Sequence, residues 1–381
     1  MNRNIDDEIV KLAQTLATDI ATRATAADRE GRLPAADVAL LRESGYLAAT
    51  VPGEFGGRGA SLLTCTAAQL ELAKGSASTA LVAAMQHQVV GHQRETRSWR
   101  ADARERIMSE AAAGGLLNHL GSEPRLGSPS RGGLPDTTAV PTTGGDQLLI
   151  NGRKTWATGG RHLTHLLVRV ATDGQGGVVL VRQGVEATPG VEWIETWRDA
   201  LSLRATDSHD IVFRDVVVPR ENLIETGDAR TVPNVWFPMM LSAVYLGTAL
   251  AARDALVAYA LERVPTALGK PIATLPKIQR QVGEIDVLLM AARALLFEVA
   301  GSWSERDEDR PAIMGRIAAA KMAVSAAANE ATEKALQAAG GAGLTGTLPL
   351  ERCFRDVRAA GMQPPSGDTA YEMVGKAALG L

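Results

Sequence analysis

Two kinds of proton-handling side chain stand out in this sequence. They are a pair of carboxylates near its end, Asp368 and Glu372, and the histidines His87, His92 and His119. A carboxylate or an imidazole within hydrogen-bond reach of a substrate can act as a general base. Each also has an ordinary alternative. A carboxylate in the first turn of a terminal helix favours the helix dipole, and a lone histidine is more often structural.

Residue spacing argues against a metal centre and against a dinucleotide-binding turn. His87 and His92 are five residues apart, which does not place both on one helix face, and Cys65 and Cys353 are far apart. The segment GGAGLTG at 340–346 has the glycine pattern of a Rossmann turn, but a helical segment precedes it where that turn needs a strand. We therefore expect no metal, and we expect these glycines to end a helix.

Composition and charge narrow the class of protein. The chain has 381 residues, of which 45% are hydrophobic and 22% charged, as in a globular protein of two or three domains. The net charge is -3 and the sequence has no block of like charges, so no basic segment indicates binding to nucleic acid. The polar start MNRNIDDEIV is no signal peptide, and the apolar stretch FPMMLSAVYLGTALAA is shorter than a bilayer span. We expect a cytoplasmic protein without membrane insertion.

Hydrophobic periodicity divides the chain into three parts. Residues 1–114 carry apolar side chains at three- and four-residue steps, which predicts an N-terminal helical domain. Residues 115–225 contain short β-rich runs between turns, such as QLLING and HDIVFRDVVVP, and these predict a central antiparallel β domain. Residues 226–381 return to long alanine-rich helices, which fits a C-terminal four-helix bundle. The expected fold class is α+β.

Five segments, in order along nearly the whole chain, resemble motifs of the acyl-CoA dehydrogenase superfamily. They are GYLAATVPGEFGGRGAS (45–61), GSEPRLGSPS (121–130), INGRKTWATGG (150–160), LSLRATDSHDIVFRDVVVPRENLI (201–224) and LQAAGGAGLTGTLPLERCFRD (336–356). The resemblance implies the helix–β–helix fold of that superfamily, which agrees with the pattern of elements. It also implies a flavin cofactor, FAD or FMN.

The same resemblance implies which residues contact the flavin. Gly121 and Ser122 would provide backbone and hydroxyl contacts to the ring, with His119 beside them. Trp156 would pack near the ring and Thr158 would hydrogen-bond its N5 region. A flavin ring needs a flat apolar face and a few fixed hydrogen-bond donors at its polar edges, and tryptophan and threonine are suited to those two tasks.

The resemblance further implies a homotetramer or homodimer in which the cofactor crosses a subunit interface. Arg263 and Gly269 match a family segment, R-x-x-F-G, that contacts the pyrophosphate of a neighbour's cofactor. Here two residues are inserted and Leu268 replaces the Phe. The family motif at the adenosine side matches three further residues, Gln337, Gly340 and Gly341.

Two residues are candidates for the substrate side. Ser128 matches a family serine that contacts substrate, but Pro129 follows it where the family often has Asp. This difference weakens the inference that the substrate carries CoA. His87 is the second candidate. We expect a small-molecule substrate, with a CoA thioester as one possibility.

The catalytic carboxylate of the family is missing from both places where the resemblance predicts it. Family dehydrogenases remove an α-proton with a Glu, which must lie within hydrogen-bond reach of the α-carbon. That Glu aligns with Pro364, and the alternative position on the first bundle helix aligns with Phe237. Proline and phenylalanine cannot accept a proton. Asp368 and Glu372 are either a displaced base or solvent-facing residues of the last helix.

Three functions therefore stay open. The resemblance first implies an acyl-CoA dehydrogenase-like oxidation at a CH–CH group. The missing Glu favours a flavin-dependent monooxygenase that uses reduced flavin and O2, and the tail PPSGDTAYEMVGKAAL is similar to that branch of the superfamily. A non-catalytic flavoprotein is the third reading. A flavin reductase would be the partner of the monooxygenase, and an electron-transfer protein would be the partner of the dehydrogenase.

Overall fold

The computed structural model describes residues 5–126, 133–184, 188–227, 232–303 and 310–381. In these residues the elements are helical, then β, then helical again, which confirms the predicted α+β fold class. The strands extend from Leu117 to Thr226 and so occupy the middle of the chain. The domain boundaries near residues 114 and 225 stay predictions.

Five α-helices form the first part of the described chain. Asp6 caps α1 by accepting hydrogen bonds from two backbone N–H groups of the first turn, and Gly31 ends it with a left-handed backbone at φ 61°. Ser61 and Ser76 cap α3 and α4 in the same way as Asp6. The helices are α1 (Asp7–Glu30), α2 (Ala35–Glu43), α3 (Leu62–Gly75), α4 (Ala77–Thr96) and α5 (Ala101–Ala112).

A single sheet of eight strands follows. Its strands are β1 (Leu117–Leu120), β2 (Thr138–Pro141), β3 (Gln147–Ala157), β4 (His165–Thr172), β5 (Gln175–Arg182), β6 (Val191–Ile194), β7 (His209–Pro219) and β8 (Leu223–Thr226). The order is β6-β7-β3-β2-β4-β5-β8, and β1 pairs with β4. Most pairs are antiparallel as expected, but β1 and β2 each run parallel to β4. Alternation of apolar residues reports the faces of a strand and not its direction, so the sequence could not show this difference.

The last part of the described chain is the predicted helical bundle. Its helices are α6 (Trp236–Glu262), α7 (Pro276–Ser302), α8 (Arg310–Ala339), α9 (Leu350–Asp356) and α10 (Gly367–Leu379). Helix α6 packs against α7 and α8, and also against α3 and α4 of the first part. Helix α10 packs on α8. The bundle and the N-terminal helices therefore share one core.

Helix α6 is more apolar than the sequence pattern suggested. Within the described residues it is long and apolar enough to cross a membrane, judged by length and composition alone, so the expectation that this stretch is too short was wrong. However, 67% of its most apolar window is buried inside the protein. Contact with other helices on several sides explains this composition, because a helix in the centre of a core has no polar face.

The Arg-Asp pair near the end of α9 joins all three parts of the chain. Arg355 Nη2 donates to Asp28 Oδ2 on α1 at 2.6 Å. The buried carboxylate of Asp356 accepts the backbone N–H of Leu203, which precedes β7, at 2.7 Å. Ser202 Oγ donates to the backbone carbonyl of Asp356 at 2.7 Å. Burial raises the pKa of Asp356 from 3.8 to about 6, although the Leu203 hydrogen bond opposes this shift.

Substitution of Asp356 tests this contact through pH. Between pH 3.8 and about 6 the folded protein binds a proton at Asp356 that the unfolded chain does not, so this contribution to stability is lost as pH rises through about 6. The variant Asp356→Asn removes the titration but keeps a hydrogen-bond acceptor. From pH 5 to pH 8 we expect the free energy of unfolding of the parent to fall by about 1 kcal/mol relative to that of Asp356→Asn, because only the parent loses the proton at position 356.

Denaturant unfolding at several pH values measures this difference. The matched control is Asp199→Asn, since Asp199 is exposed and should give no pH-dependent difference over the same range. A constant difference between Asp356→Asn and the parent from pH 5 to pH 8 would contradict the raised pKa.

Candidate active site

A buried ion pair holds the turn that follows β1. Lys154 Nζ lies 2.6 Å from Glu123 Oε1, and the two side chains are 0% and 1% exposed. Glu123 also accepts the hydroxyl of Thr137 at 2.6 Å and the N–H groups of Thr137 and Asp136. Glu123 is two residues after Gly121, and Lys154 is in β3. The pair therefore fixes the turn against β3 and against the residues that lead into β2.

Burial and pairing act in opposite directions on these two charges. Burial lowers the pKa of Lys154 to about 8, although Glu123 stabilises its charge. Burial also opposes ionisation of Glu123, but the hydrogen bonds from Lys154 and Thr137 outweigh it and lower the pKa of the carboxyl. A buried charge is tolerated only with a partner and satisfied hydrogen bonds. The ion pair can therefore exist only if the turn and β3 keep this arrangement.

The end of β3 lies beside this turn. The backbone N–H of Thr155 donates to the carbonyl of Ser122 at 3.0 Å. Thr158 is buried, and its hydroxyl lies 2.9 Å from Ser208 Oγ. Asn118 in β1 donates to the backbone carbonyl of Thr158 at 3.0 Å. The structure thus brings together the two segments to which the sequence assigned the ring contacts.

Trp156 presents an aromatic ring at this place. Its backbone is in the left-handed region at φ 58°, and its side chain is 55% exposed. A bulky residue with positive φ is strained, and such strain is concentrated at functional sites. The hydroxyl of the neighbouring Thr155 is buried and has no hydrogen-bond partner among the described residues. An exposed flat ring beside available polar groups fits the needs of a flavin ring.

Two histidines near this site interact electrostatically. His119 lies in β1 and His92 in α4, and they are close enough for the charge of His92 to affect the pKa of His119. The His119 side chain is exposed, but neighbouring protein atoms still disfavour its charged form. Desolvation and the positive charges of Arg169 and Lys154 lower its pKa to about 4. His119 is therefore neutral near pH 7.

His87 lies deeper in the N-terminal helices. Its Nδ1 is 3.2 Å from the hydroxyl of Thr50, and its ring contacts Tyr46 edge to face at 5.1 Å between centroids. Burial lowers its pKa to about 4. Its Nε2 is buried without a hydrogen-bond partner among the described residues. These contacts suit a neutral core histidine, and a contact between His87 and substrate stays a prediction.

The two candidate displaced bases lie on the surface of α10. Asp368 is in the first turn of this helix and is exposed. Glu372 is also exposed, and Lys376 Nζ lies 2.7 Å from its Oε1. The hydrogen bond from Lys376 lowers the pKa of Glu372, which makes it a weaker base. This placement favours the solvent-facing alternative, and catalysis by either residue stays a prediction.

The segment that ends at Pro364 is anchored by a buried lysine. Lys321 Nζ in α8 donates to the backbone carbonyls of Ala360 and Gln363 at 2.8 and 2.9 Å. The hydroxyl of Tyr245 in α6 donates to Gln363 Oε1. Burial lowers the pKa of Lys321 to about 8. Position 364 is thus held in the bundle by α6 and α8, but its side chain cannot accept a proton.

The alternative base position is in the first turns of α6. Phe237 there is half-buried, and the neighbouring Pro238 is buried. Asn234 lies just before the helix, and its Oδ1 accepts the backbone N–H of Phe237 at 3.2 Å. Its Nδ2 donates to Gln88 Oε1 of α4 at 2.6 Å. Neither Phe237 nor Pro238 can act as a base, so this position also lacks a proton acceptor.

The remaining predicted cofactor contacts are exposed on the bundle. Arg263 ends α6, and Gly269 follows in a loop at φ 66°. The other three are at the end of α8, where a helix stops at glycine as expected: Gln337, Gly340 and Gly341. Their exposure leaves them accessible to a second copy of the chain, and their role stays a prediction. Ser128 lies outside the described residues.

Several residues that build the site were not singled out from the sequence. Glu123 and Lys154 lie inside the segments GSEPRLGSPS and INGRKTWATGG, and their place in these two segments was the available signal. Asn118, Ser208 and Lys321 carry no local pattern. Their partners are distant in sequence, so only the folded chain shows these contacts.

Comparison with known proteins agrees with this geometry. Three family models match consecutive parts of the chain: "Acyl-CoA dehydrogenase, N-terminal domain" over residues 6–117, "middle domain" over 120–216 and "C-terminal domain" over 239–363. YdbM of Bacillus subtilis (strain 168), whose name assigns it to the acyl-CoA dehydrogenases, is 36% identical over 93% of this chain and 92% of its own. The chain belongs to the acyl-CoA dehydrogenase family and is a flavin-dependent oxidoreductase.

Solved structures with the same fold include flavin enzymes of another type. KijD3, in complex with FMN and dTDP-3-amino-2,3,6-trideoxy-4-keto-3-methyl-D-glucose, is 29% identical with a TM-score of 0.82, covering 98% of this chain and 93% of its own. Dibenzothiophene monooxygenase (TdsC) from Paenibacillus sp. A11-2 is 25% identical with a TM-score of 0.83, covering 98% and 97%. The fold therefore occurs in enzymes named as dehydrogenases and as monooxygenases.

The buried ion pair can be tested by removing one partner at a time. We expect Glu123→Gln and Lys154→Met each to lower the free energy of unfolding by about 3–5 kcal/mol, because each leaves an unpaired buried charge. The double variant should recover part of this loss. Denaturant unfolding measures the free energies of unfolding. The flavin content after gel filtration shows whether the variants still bind the cofactor.

An exposed ion pair supplies the control. Arg214 and Glu192 are 3.2 Å apart with side chains 69% and 56% exposed. We expect Arg214→Gln to change stability by less than about 1 kcal/mol. Single variants of Glu123 and Lys154 that cost no more than this control would show that the buried pair does not hold the turn.

Proposed function

We propose that this protein is a flavin-dependent monooxygenase that uses reduced flavin and O2 on a small organic substrate. The main observation in support concerns the two positions at which family dehydrogenases place their base. They hold Pro364 and Phe237, and neither side chain can accept a proton. A dehydrogenation needs such a base beside the α-carbon, whereas oxygen transfer from flavin needs a shaped pocket from which water is excluded. Apolar residues at both positions suit the second requirement.

The protein's own residues would bind and orient the cofactor and substrate. Trp156 offers a face for the ring, and Ser122 and Thr158 offer fixed polar groups at its edges. When bound, reduced flavin would supply two electrons to O2, so that one oxygen atom enters the substrate and the other leaves as water. His119, neutral near pH 7, can donate or accept a hydrogen bond at the site without adding a charge. His92 is the second imidazole at this place.

Similarity to enzymes of this type supports the proposal. KijD3 binds FMN with an amino-keto sugar nucleotide, and TdsC is a monooxygenase that was solved with FMN and indole. We propose FAD as the cofactor, with FMN as the alternative, because Arg263 matches the pyrophosphate segment and Gln337 and Gly340 match the adenosine-side motif. We also propose a cytoplasmic homotetramer or homodimer that receives reduced flavin from a separate flavin reductase.

Acyl-CoA oxidation is the second candidate function. Its support is the 36% identity to YdbM over most of both chains. It would need a carboxylate that reaches the substrate, and Asp368 and Glu372 are the first two carboxylates that follow position 364. The third reading, a non-catalytic flavoprotein, has no observation in its favour beyond the missing base.

One pair of assays separates these functions. Flavin-loaded protein is titrated anaerobically with butyryl-CoA, and in parallel it is supplied with an added flavin reductase, 18O2 and either indole or dibenzothiophene. We expect no bleaching of the flavin by butyryl-CoA, and 18O-labelled product that depends on both the reductase and the protein. Asp368→Asn and Glu372→Gln should leave product formation unchanged, because both residues are exposed on α10.

Anaerobic bleaching by butyryl-CoA would overturn the monooxygenase and support dehydrogenation. In that case loss of bleaching in Asp368→Asn or Glu372→Gln would identify the base. No response in either assay, with flavin still bound, would favour the non-catalytic flavoprotein. The oxygen assay needs a reaction without protein as its control, since free reduced flavin also consumes oxygen.

A further inference from the structure

A second concave site lies at the other side of α4. A cavity of about 260 Å³ opens between the 52–59 loop, the end of α4 and helix α5. Its charged lining residues are Arg94, Arg97, Arg104 and Glu54. Arg94 is two residues after His92, and two residues turn an α-helix by about 200°. The cavity therefore lies on the opposite side of α4 from His92, and it is separate from the candidate flavin site.

Two of the lining arginines, Arg97 and Arg104, have donors without an acceptor among the described residues. The carboxylate in the lining is that of Glu54, which is exposed. The Arg97 side chain makes no hydrogen bond or ion pair within the described part of the chain. Nε of Arg104 is buried and likewise has no acceptor among the described residues. Arg104 does contact the ring of Phe55, with 5.9 Å between its Cζ and the ring centroid.

The wall of the cavity is preformed. Arg94 Nη1 donates to the backbone carbonyls of Gly59 and Ala60, both at 2.9 Å, which ties the loop to α4. The loop also closes on itself, because the N–H of Gly59 donates to the carbonyl of Val51 at 2.8 Å. The arginine side chains therefore project from a fixed backbone, and binding of an anion would need little rearrangement.

A buried donor without an acceptor is destabilising, and an anionic ligand that accepts its hydrogen bond would remove this cost. Guanidinium groups match the geometry of phosphate oxygens and form strong charge-assisted hydrogen bonds with them. The volume is below the roughly 300 Å³ at which pockets for whole drug-sized ligands begin. We propose that this cavity binds the phosphate group of a small phosphorylated ligand. The Phe55 ring would then lie beside the part of the ligand that carries the phosphate. This site is independent of the flavin reaction.

Titration calorimetry of the flavin-loaded protein tests the proposal, with inorganic phosphate and ADP as the probes. We expect both probes to bind, and we expect Arg97→Gln and Arg104→Gln each to weaken binding at least tenfold. The control is Arg161→Gln, because Arg161 is exposed and is not one of the residues that line the cavity. Tighter binding of ADP than of phosphate indicates a nucleotide as the source of the phosphate group, and equal binding indicates free phosphate.

Two results would overturn the proposal. One is no heat of binding for either probe with the parent protein. The other is equal binding by the parent and by both arginine variants, which would indicate nonspecific attraction of anions. Phosphate-dependent thermal stabilisation gives a second readout, and it should be present in the parent and the control but lost in Arg97→Gln. Since Arg97 is exposed, its substitution should not prevent folding.

Discussion

The ion pair between Lys154 and Glu123 is the constraint on which the site depends. Two opposite charges with almost no exposed surface must stay together, since either alone would be far more costly to bury. Their contact fixes the turn after β1 against β3. Ser122 and Trp156 are close to the two partners in sequence, so the pair also fixes the places from which the predicted ring contacts would project.

A second group of polar contacts joins the sheet to the helices around it. Arg355 reaches α1, and Asp356 holds the N–H of Leu203 near the start of β7. Lys321 holds the segment that leads to Pro364 within the bundle. These contacts explain why the Arg-Asp motif can persist in a chain that lacks the catalytic carboxylate after it. Their role is to position backbone, and that role is the same whichever reaction the flavin performs.

Local patterns in the sequence predicted most of the fold and part of the site. The change from helical to alternating periodicity located the strands from β1 to β8, and the glycines of segment 340–346 marked a helix end. Motif resemblance predicted ring contacts for Ser122, Trp156 and Thr158. The structure pairs the backbone of Ser122 with that of Thr155, next to Trp156, and the contacts with flavin stay predictions. The parallel pairing of β1 with β4 and the partners of Lys154 and Lys321 were not predicted. These depend on contacts between distant residues, for which a single sequence has no local signal.

We infer, as the central claim, that this protein places no base beside the α-carbon of an acyl-CoA at either family position, because position 364 holds Pro and position 237 holds Phe. Proton exchange tests it most directly, since a base beside that carbon exchanges its hydrogens even without net oxidation. Butyryl-CoA is incubated with the oxidised, flavin-loaded protein in D2O, next to a family dehydrogenase that keeps its Glu, and mass spectrometry follows deuterium at the α-carbon. The account predicts no more deuterium than in the sample without protein. Exchange that Asp368→Asn or Glu372→Gln abolishes would contradict it.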